Sequence, residues 1–436
     1  MAYPTNIRSR LMMTETTLSL ADINLNDEEL FERGLAHEAF KILRREDPIS
    51  WTPATEEVKG HWNLVKYEDV MHVSRRPEIF SSERGIVQYE PVSMDEASAA
   101  SAGNGKMIIT MDPPRHVKMR RLVNKGFTPR AVALWEPKIR AATNMLLDRI
   151  AKKGESDFVL DIACNIPLAV ICQMLGLPEK DWALMFELTN KVLGPGDPEY
   201  QTDVPEEQRG TQEAARITGN IGTMQMFGYF AQALQERKTA RREDIISLLV
   251  DSELEGEQLT DEDILWFCFL LILAGNETTR NGMSGGLLSL CEHPDQKKKL
   301  LNDMSLLPGA IEEILRWNSP VTHMARVALQ DTKIRHQEIK QGERVVMWYP
   351  AVNRDEEVFP NADVFDITRS PNEHLAFGIG EHFCLGAGFA RLELKVLFEE
   401  MFRRFPDIEL AGPPERLRST FIGGIKHLPV KFTPER

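Results

Sequence analysis

From Thr260 to His293 the chain runs without a proline, and Pro294 follows. Thr260-Asp261-Glu262-Asp263 supplies an N-cap hydroxyl and an acidic first turn, so the stretch is predicted as one helix. About 32 helical residues reach roughly 48 Å. Inside lies the apolar run Ile264–Ala274, well short of the roughly 20 residues that span a membrane. Such a run belongs to a helix buried on all sides. A rod of that reach must cross the whole body of the domain that contains it. The 436 residues alone allow about three domains. The long helix argues instead for one large helical domain.

Other helix signals surround it. Asp112-Pro113-Pro114 offers an N-cap followed by first-turn prolines, with Gly126 as a stop, and Thr128-Pro129 opens a second helix predicted to end near Gly154. Strand signals are sparse: His61–Val65, Val327–Leu329 and Arg344–Tyr349 read as short β pieces. Gly85–Lys106 and Gly194–Arg209 read as long loops, either lids and binding segments or plain surface connections. The expected class is mainly α with small β-sheets.

Charge and cysteine content exclude several functions. A net charge of −14 opposes a general affinity for nucleic acid or anionic membranes, while leaving room for a local basic face. Cys164, Cys172, Cys268, Cys291 and Cys384 are widely spaced and odd in number, giving neither a disulfide framework nor a CxxC zinc pattern. A reduced, cytoplasmic compartment is the simplest reading. Met1–Asn24 lacks the apolar core and small-residue cleavage site of a signal peptide, so neither a leader nor a membrane span is expected.

One cysteine stands in unusual company. In His374–Arg391 the pattern Phe377-Gly378-x-Gly380-x-His382-x-Cys384-x-Gly386 precedes a helical run through Ala387, Ala390, Leu392 and Leu394. A lone cysteine is ordinarily a small buried hydrophobe. Here the glycines permit a tight turn and close approach of a flat ligand. A thiolate at that point would lie at a helix N-terminus, where backbone N–H groups and the helix dipole favour negative charge.

This segment resembles the haem-ligand signature of the cytochrome P-450 family, over a long and specific match. The resemblance implies heme b (iron) as cofactor and Cys384 as its axial thiolate. Phe377 would pack on the sulfur side, Gly378 and Gly386 would belong to the cradle, and His382 would hydrogen-bond a haem propionate. A thiolate ligand pushes electron density onto haem iron and favours O–O cleavage.

Three further segments match in the family's order. Glu313-Ile314-Leu315-Arg316 is similar to the ExxR element, whose spacing puts Glu313 and Arg316 on one helix face, and Arg369 stands where a third partner is expected. Ala274-Gly275-Asn276-Glu277-Thr278-Thr279 lies in the long helix. Ala274 and Gly275 would let that helix approach a flat macrocycle, and Glu277 with Thr278 would be the acid–alcohol pair that relays protons through water. In Met111–Arg120, His116 and Arg120 share a face at i,i+4 and would point at a propionate. Arg326 matches another propionate arginine.

The resemblance covers roughly residues 35–430, so a single domain over 1–436 is expected, with residues 1–25 a loosely ordered arm. Gly34–Trp51, Gly196–Tyr200 and Leu273–Asn281 look like a bacterial branch that oxidises steroid side chains and methyl-branched isoprenoid lipids. The Gly85–Lys106 loop, which should cover the substrate, matches no such pattern.

The implied activity is a haem-thiolate monooxygenase. O2, two electrons and two protons place one oxygen atom in a C–H bond of a small apolar substrate, a steroid or isoprenoid/terpenoid, and release the other as water. Ile86, Val87, Ile272, Ala274, Val321 and Met324 are the candidate pocket residues. No flavin or nicotinamide domain is read in the chain, so the resemblance implies a ferredoxin and ferredoxin reductase as electron donors, and a monomer. Lys118, Arg121, Lys125 and Arg130 form either a docking patch for an acidic partner or a solvated helix face. The competing classes are a peroxide-driven haem-thiolate enzyme, a haem-binding sensor or carrier, and a non-haem helical binder. The first two have no need of Glu277 and Thr278.

Overall fold

A computed structural model describes residues 18–93, 103–254 and 256–436. The helices that position the site are α1 (Ala36–Glu46), α2 (Arg115–Val123), α3 (Glu136–Ile150), α4 (Asn165–Met174), α5 (Trp182–Leu193), α6 (Gln212–Thr239), α7 (Asp261–Glu292), α8 (Leu307–Asn318) and α9 (Ala387–Arg404). The fold is mainly helical with small sheets, in a single domain.

Helix α7 forms as its caps dictate. The Thr260 hydroxyl accepts from the Asp263 N–H (3.1 Å), and the Asp263 carboxylate accepts from the Thr260 N–H (3.2 Å). Helices α4, α5, α6, α8 and α9 pack around it. Glycine makes the closest approaches possible: a Cβ at Gly286 would come within 2.9 Å of Ile314 and Phe398, and one at Gly285 within 2.6 Å of Asn318. The apolar run therefore lies at the centre of one large core rather than in a membrane. No helix among the described residues is long and apolar enough to cross one.

Two predicted helix boundaries differ. The Asp112 carboxylate accepts from the Ser82 N–H (2.8 Å) instead of capping α2, which begins at Arg115 and gives way to a 3-10 turn at Asn124–Phe127, around Gly126. Thr128 does cap a helix, accepting from the Ala131 N–H (3.3 Å). That helix ends at Ala133, and α3 starts afresh at Glu136-Pro137. A proline lacks the N–H that would continue the first helix but fits the opening turn of the next.

The main sheet holds β1 (Ile49–Thr52), β2 (His61–Leu64), β3 (Phe80–Ser81), β4 (His323–Ala328) and β5 (Arg344–Trp348) in the order β1-β2-β5-β4-β3. Only the β2–β5 pair is parallel, with Arg344 opposite His61. All three predicted β pieces fall in this sheet. The extended segment after β3 continues its edge: the Ala325 N–H donates to Ile86 O (2.7 Å), and the Arg344 guanidinium donates to the carbonyls of Arg84, Gly85 and Val87. Residues 94–102 of that predicted loop lie outside the described residues, as do residues 1–17 of the expected N-terminal arm. Leu25 is buried beside Leu30 and Phe40.

The Gly194–Arg209 segment holds two 3-10 turns and is tied down by charge. Lys191 binds Asp203, and Lys426 binds both Asp197 and Glu199.

Candidate active site

The middle of α7 is where its burial lapses. Leu270, Leu271, Ala274, Gly275 and Thr278 recur at helical spacing and face a cavity, whereas Asn276, Glu277 and Arg280 are buried on other faces. The cavity has a volume of about 250 Å³ and is partly open to solvent. Its walls come from α2, α4, α7, the start of β4 and the cysteine segment.

The cysteine segment is a wound loop. The Cys384 N–H donates to Phe377 O (2.9 Å), the Gly378 N–H to Leu375 O (2.9 Å) and the Phe383 N–H to Gly380 O (3.1 Å). Gly380 has φ +76°, and a Cβ there would lie 2.6 Å from Ser74 O, so only glycine serves. At Gly386 a Cβ would meet no protein atom within 4 Å although the residue lines the cavity, so the space beside it is open to a ligand. Burial pushes the Cys384 thiol up; the N–H groups of Gly386 and Ala387 and the charges of Arg120 and Arg391 oppose that without overcoming it. The helix N-terminus alone does not make the thiolate. A bound iron would, because a coordinated cation deprotonates its thiol ligand outright.

Behind the loop, Arg391 lies over the Phe377 ring (4.6 Å) and grips Glu312 with two bonds of 2.7 Å. Burial alone would raise Glu312, but the bonds from Arg391 and His374 hold it at about 2. This clamp fixes Phe377, and through it the turn that carries Cys384.

His116, Arg120, Arg326 and His382 gather at one end of the cavity. The two imidazoles are 4.2 Å apart and neutral: burial first, then neighbouring arginines, bring His116 down to about 4 and His382 to about 2. Arg120 donates to the carbonyls of Glu381 and Phe383, and Arg326, though buried, donates to Ala325 O. Among the described residues neither guanidinium meets a carboxylate, and His116 Nδ1 is buried without a partner. Two unneutralised guanidiniums beside an orphaned imidazole suit carboxylates brought in by a ligand. A flat ligand carrying two propionates and an iron that takes a thiolate fits these residues.

The α7 wall departs from expectation in two places. A Cβ at Gly275 would stand 3.1 Å from Ile171, so that glycine admits α4 as well as lining the cavity. Glu277 is not on the wall. Its carboxylate is bound by Arg280 and by Asn281 (3.3 Å), and Arg280 is in turn held by Asn190 of α5 (3.0 Å) and by Tyr200. Thr278 lines the cavity, whereas the Glu277 carboxylate turns to Arg280, so the two side chains do not meet there. The Thr278 hydroxyl donates to Ala274 O (2.8 Å), leaving its oxygen to accept from the cavity.

Of the expected pocket residues, Ala274, Val321 and Met324 line the cavity, while Ile86, Val87 and Ile272 do not. Sequence reasoning missed Ile108, Ile109 and Phe267, and a buried acid, Glu393 of α9. A carboxylate three residues after Ala390 and beside Leu394, on an apolar stripe, is the signal that marks it. Glu313, Arg316 and Arg369 do come together.

Comparison with known proteins agrees with this construction. The family model described as cytochrome P450 matches residues 59–422. The chain is 38% identical over 426 residues to a methyl-branched lipid omega-hydroxylase of Mycobacterium tuberculosis, covering 95% of each, and 35% identical over 418 residues to a steroid C26-monooxygenase of Rhodococcus jostii, covering 94% of this chain and 84% of that protein. Among solved structures it superposes on Mycobacterium marinum cytochrome P450 CYP268A2 in complex with pseudoionone, with a TM-score of 0.85, 33% identity and coverage of 94% and 98%. CYP109E1 of Bacillus megaterium with testosterone gives a TM-score of 0.81, 32% identity and coverage of 93% and 99%. A cysteine turn opening a helix, an arginine–histidine corner for propionates and a central helix over one cavity thus occur together in a chain that belongs to the cytochrome P450 family of monooxygenases.

Proposed function

We propose that the protein hydroxylates a steroid or a methyl-branched isoprenoid (terpenoid) molecule, using heme b and electrons from a ferredoxin and its reductase. The family implies haem iron, O2, a small-molecule substrate and redox partners. Cys384 would ligate the iron, with Phe377, Gly378 and Gly386 around it. His116, Arg120, Arg326 and His382 would hold the propionates, and Ala274 and Gly275 would bring α7 to the opposite face. Bound there, the haem supplies activation of O2 at a thiolate-ligated iron.

The chain's own residues shape the rest. The observation that carries the substrate reading is the apolar part of the lining, where Ile108, Ile109, Phe267, Leu270, Val321 and Met324 present hydrocarbon and thioether surface to a ligand. Such a wall binds hydrocarbon by exclusion of water. The names of the relatives support the same class. A screen by spectral shift tests it, because a fitting ligand displaces water from the iron. Steroids or methyl-branched isoprenoids should shift the spectrum; no shift with either class overturns the substrate reading.

Thr278 is proposed to hand protons to O2 in the cavity, fed by Glu277 through water at its second oxygen, which is buried and unpartnered. Thr278→Ala should leave haem binding intact but divert electrons to peroxide, lowering product per electron pair by about tenfold. Unchanged coupling would remove the relay.

Exposed Arg121, Lys125 and Arg130 lie on and just after α2, the helix whose Arg120 reaches the cysteine loop, and suit an acidic ferredoxin through an association that salt weakens. Five free cysteines fit a reduced, cytoplasmic setting and a monomer without disulfide links.

A further inference from the structure

Residues 82–90 leave the histidine–arginine corner and follow β4. Ser82 begins the limb, with its hydroxyl 3.2 Å from His382 Nε2. Ile86 O then accepts from the Ala325 N–H (2.7 Å), and the Gln88 N–H donates to His323 Nε2 (3.1 Å). Met324, between those two β4 residues, lines the cavity.

The carbonyls of Arg84, Gly85 and Val87 go to one side chain. Arg344 Nη1 donates to Gly85 O (3.2 Å) and Val87 O (2.7 Å), and Nη2 to Arg84 O (2.7 Å) and Glu90 Oε2 (2.9 Å). Every N–H of the two terminal nitrogens is thereby used. Arg344 is 3% exposed, and Glu90 is shared with Lys59 (2.7 Å). The returning limb rests on the same clamp. Gly85 has φ +93°, and a Cβ there would lie 3.2 Å from the Asn104 side chain. Just beyond Asn104, Ile108 and Ile109 line the cavity, which Arg344 itself does not reach.

We propose that Arg344 is a positioning residue for the substrate. By holding both limbs it fixes where Ile108 and Ile109 stand in the cavity wall relative to Met324, and so how closely the apolar lining fits its ligand. The proposal rests on the reading of an apolar substrate. Lysine could not replace the grip, since its three donors radiate from one point and the four acceptors are spread over Arg84–Glu90.

Arg344→Lys in the haem-loaded protein tests this, because it keeps a positive charge for Glu90. Amide hydrogen exchange should quicken at residues 84–90 and 104–109 while the rest of the sheet stays protected. The spectral-shift midpoint for a steroid or isoprenoid that shifts the wild type should weaken by about tenfold. Binding of imidazole, which needs only the iron, should not change, and the thiolate spectrum should persist. KM should rise while kcat holds. Glu90→Gln, which leaves the three carbonyl bonds, should do less than Arg344→Lys. Unchanged exchange at residues 84–90 overturns the clamp whatever the substrate. Quickened exchange with an unchanged substrate midpoint, equal weakening for imidazole and substrate, or loss of protection throughout the sheet overturns the positioning role. A wild type that no such ligand shifts overturns the substrate reading instead, and the exchange experiment still decides the clamp.

Discussion

Cys384→Ala should give a folded protein with no thiolate-type spectrum and no detectable hydroxylation. The other four cysteines cannot take over, since none lines the cavity. Burial pushes Cys164 up to about 12 and raises Cys172, Cys268 and Cys291 as well, the behaviour of packing residues. The substitution removes one sulfur atom. The turn that presents it is held by backbone bonds from Cys384 to Phe377 and from Gly378 to Leu375, which alanine keeps. The stability loss should therefore be about 1 kcal/mol, small beside the chemical loss. Any residual haem would lack the anionic ligand that pushes electron density toward oxygen. Reduced, CO-bound spectra and product analysis check this. A variant that kept the red-shifted Soret band would remove Cys384 from the iron.

Glu313→Ala should be the most destabilising change in the chain, although Glu313 never touches the cavity. Its carboxylate accepts from Arg316 Nε and Nη2 (2.8 Å each), Arg369 Nε (3.1 Å), Asn372 Nδ2 (3.0 Å) and the Asp366 N–H (2.9 Å). Glu313 and Arg316 are both 0% exposed. Arg316 also donates to the carbonyls of Asn353 and Ala362, and Arg369 to Pro360 O. One carboxylate thus ties α8 to residues 353–372, the strap that leads into the cysteine loop. Removing it leaves two arginine charges uncompensated, at a cost of about 3–5 kcal/mol. Haem content should fall with the denaturation midpoint. Glu313→Gln keeps an acceptor and should lose less. Normal stability and full haem content in Glu313→Ala would refute the strap.

What could be read in the sequence was what local chemistry dictates. Thr260 and Asp263 cap α7 through neighbouring atoms, Pro294 ends it, and the glycines around Cys384 are needed by the loop itself. The fold class and the family followed from these. What could not be read depends on which neighbour each face meets. Nothing local says that Gly275 must admit Ile171, or that Glu277 turns from the cavity to Arg280. Pro137 could have been read as a new helix start, since proline in the first turn is a local signal. Val170 and Met174 of α4 line the cavity but look like any buried apolar helix, and Ile86 and Val87 were misplaced because the sheet edge captures their backbone. Glu393 was legible only as an acid on an apolar stripe.

The account turns on one bond, between Cys384 sulfur and haem iron. The reduced, CO-bound spectrum of the purified wild-type protein tests it most directly. The predicted result is a haem protein whose Soret band carries the red shift of anionic thiolate ligation. A colourless protein, or a haem protein whose band stays at the position given by histidine or neutral thiol ligation, would contradict it.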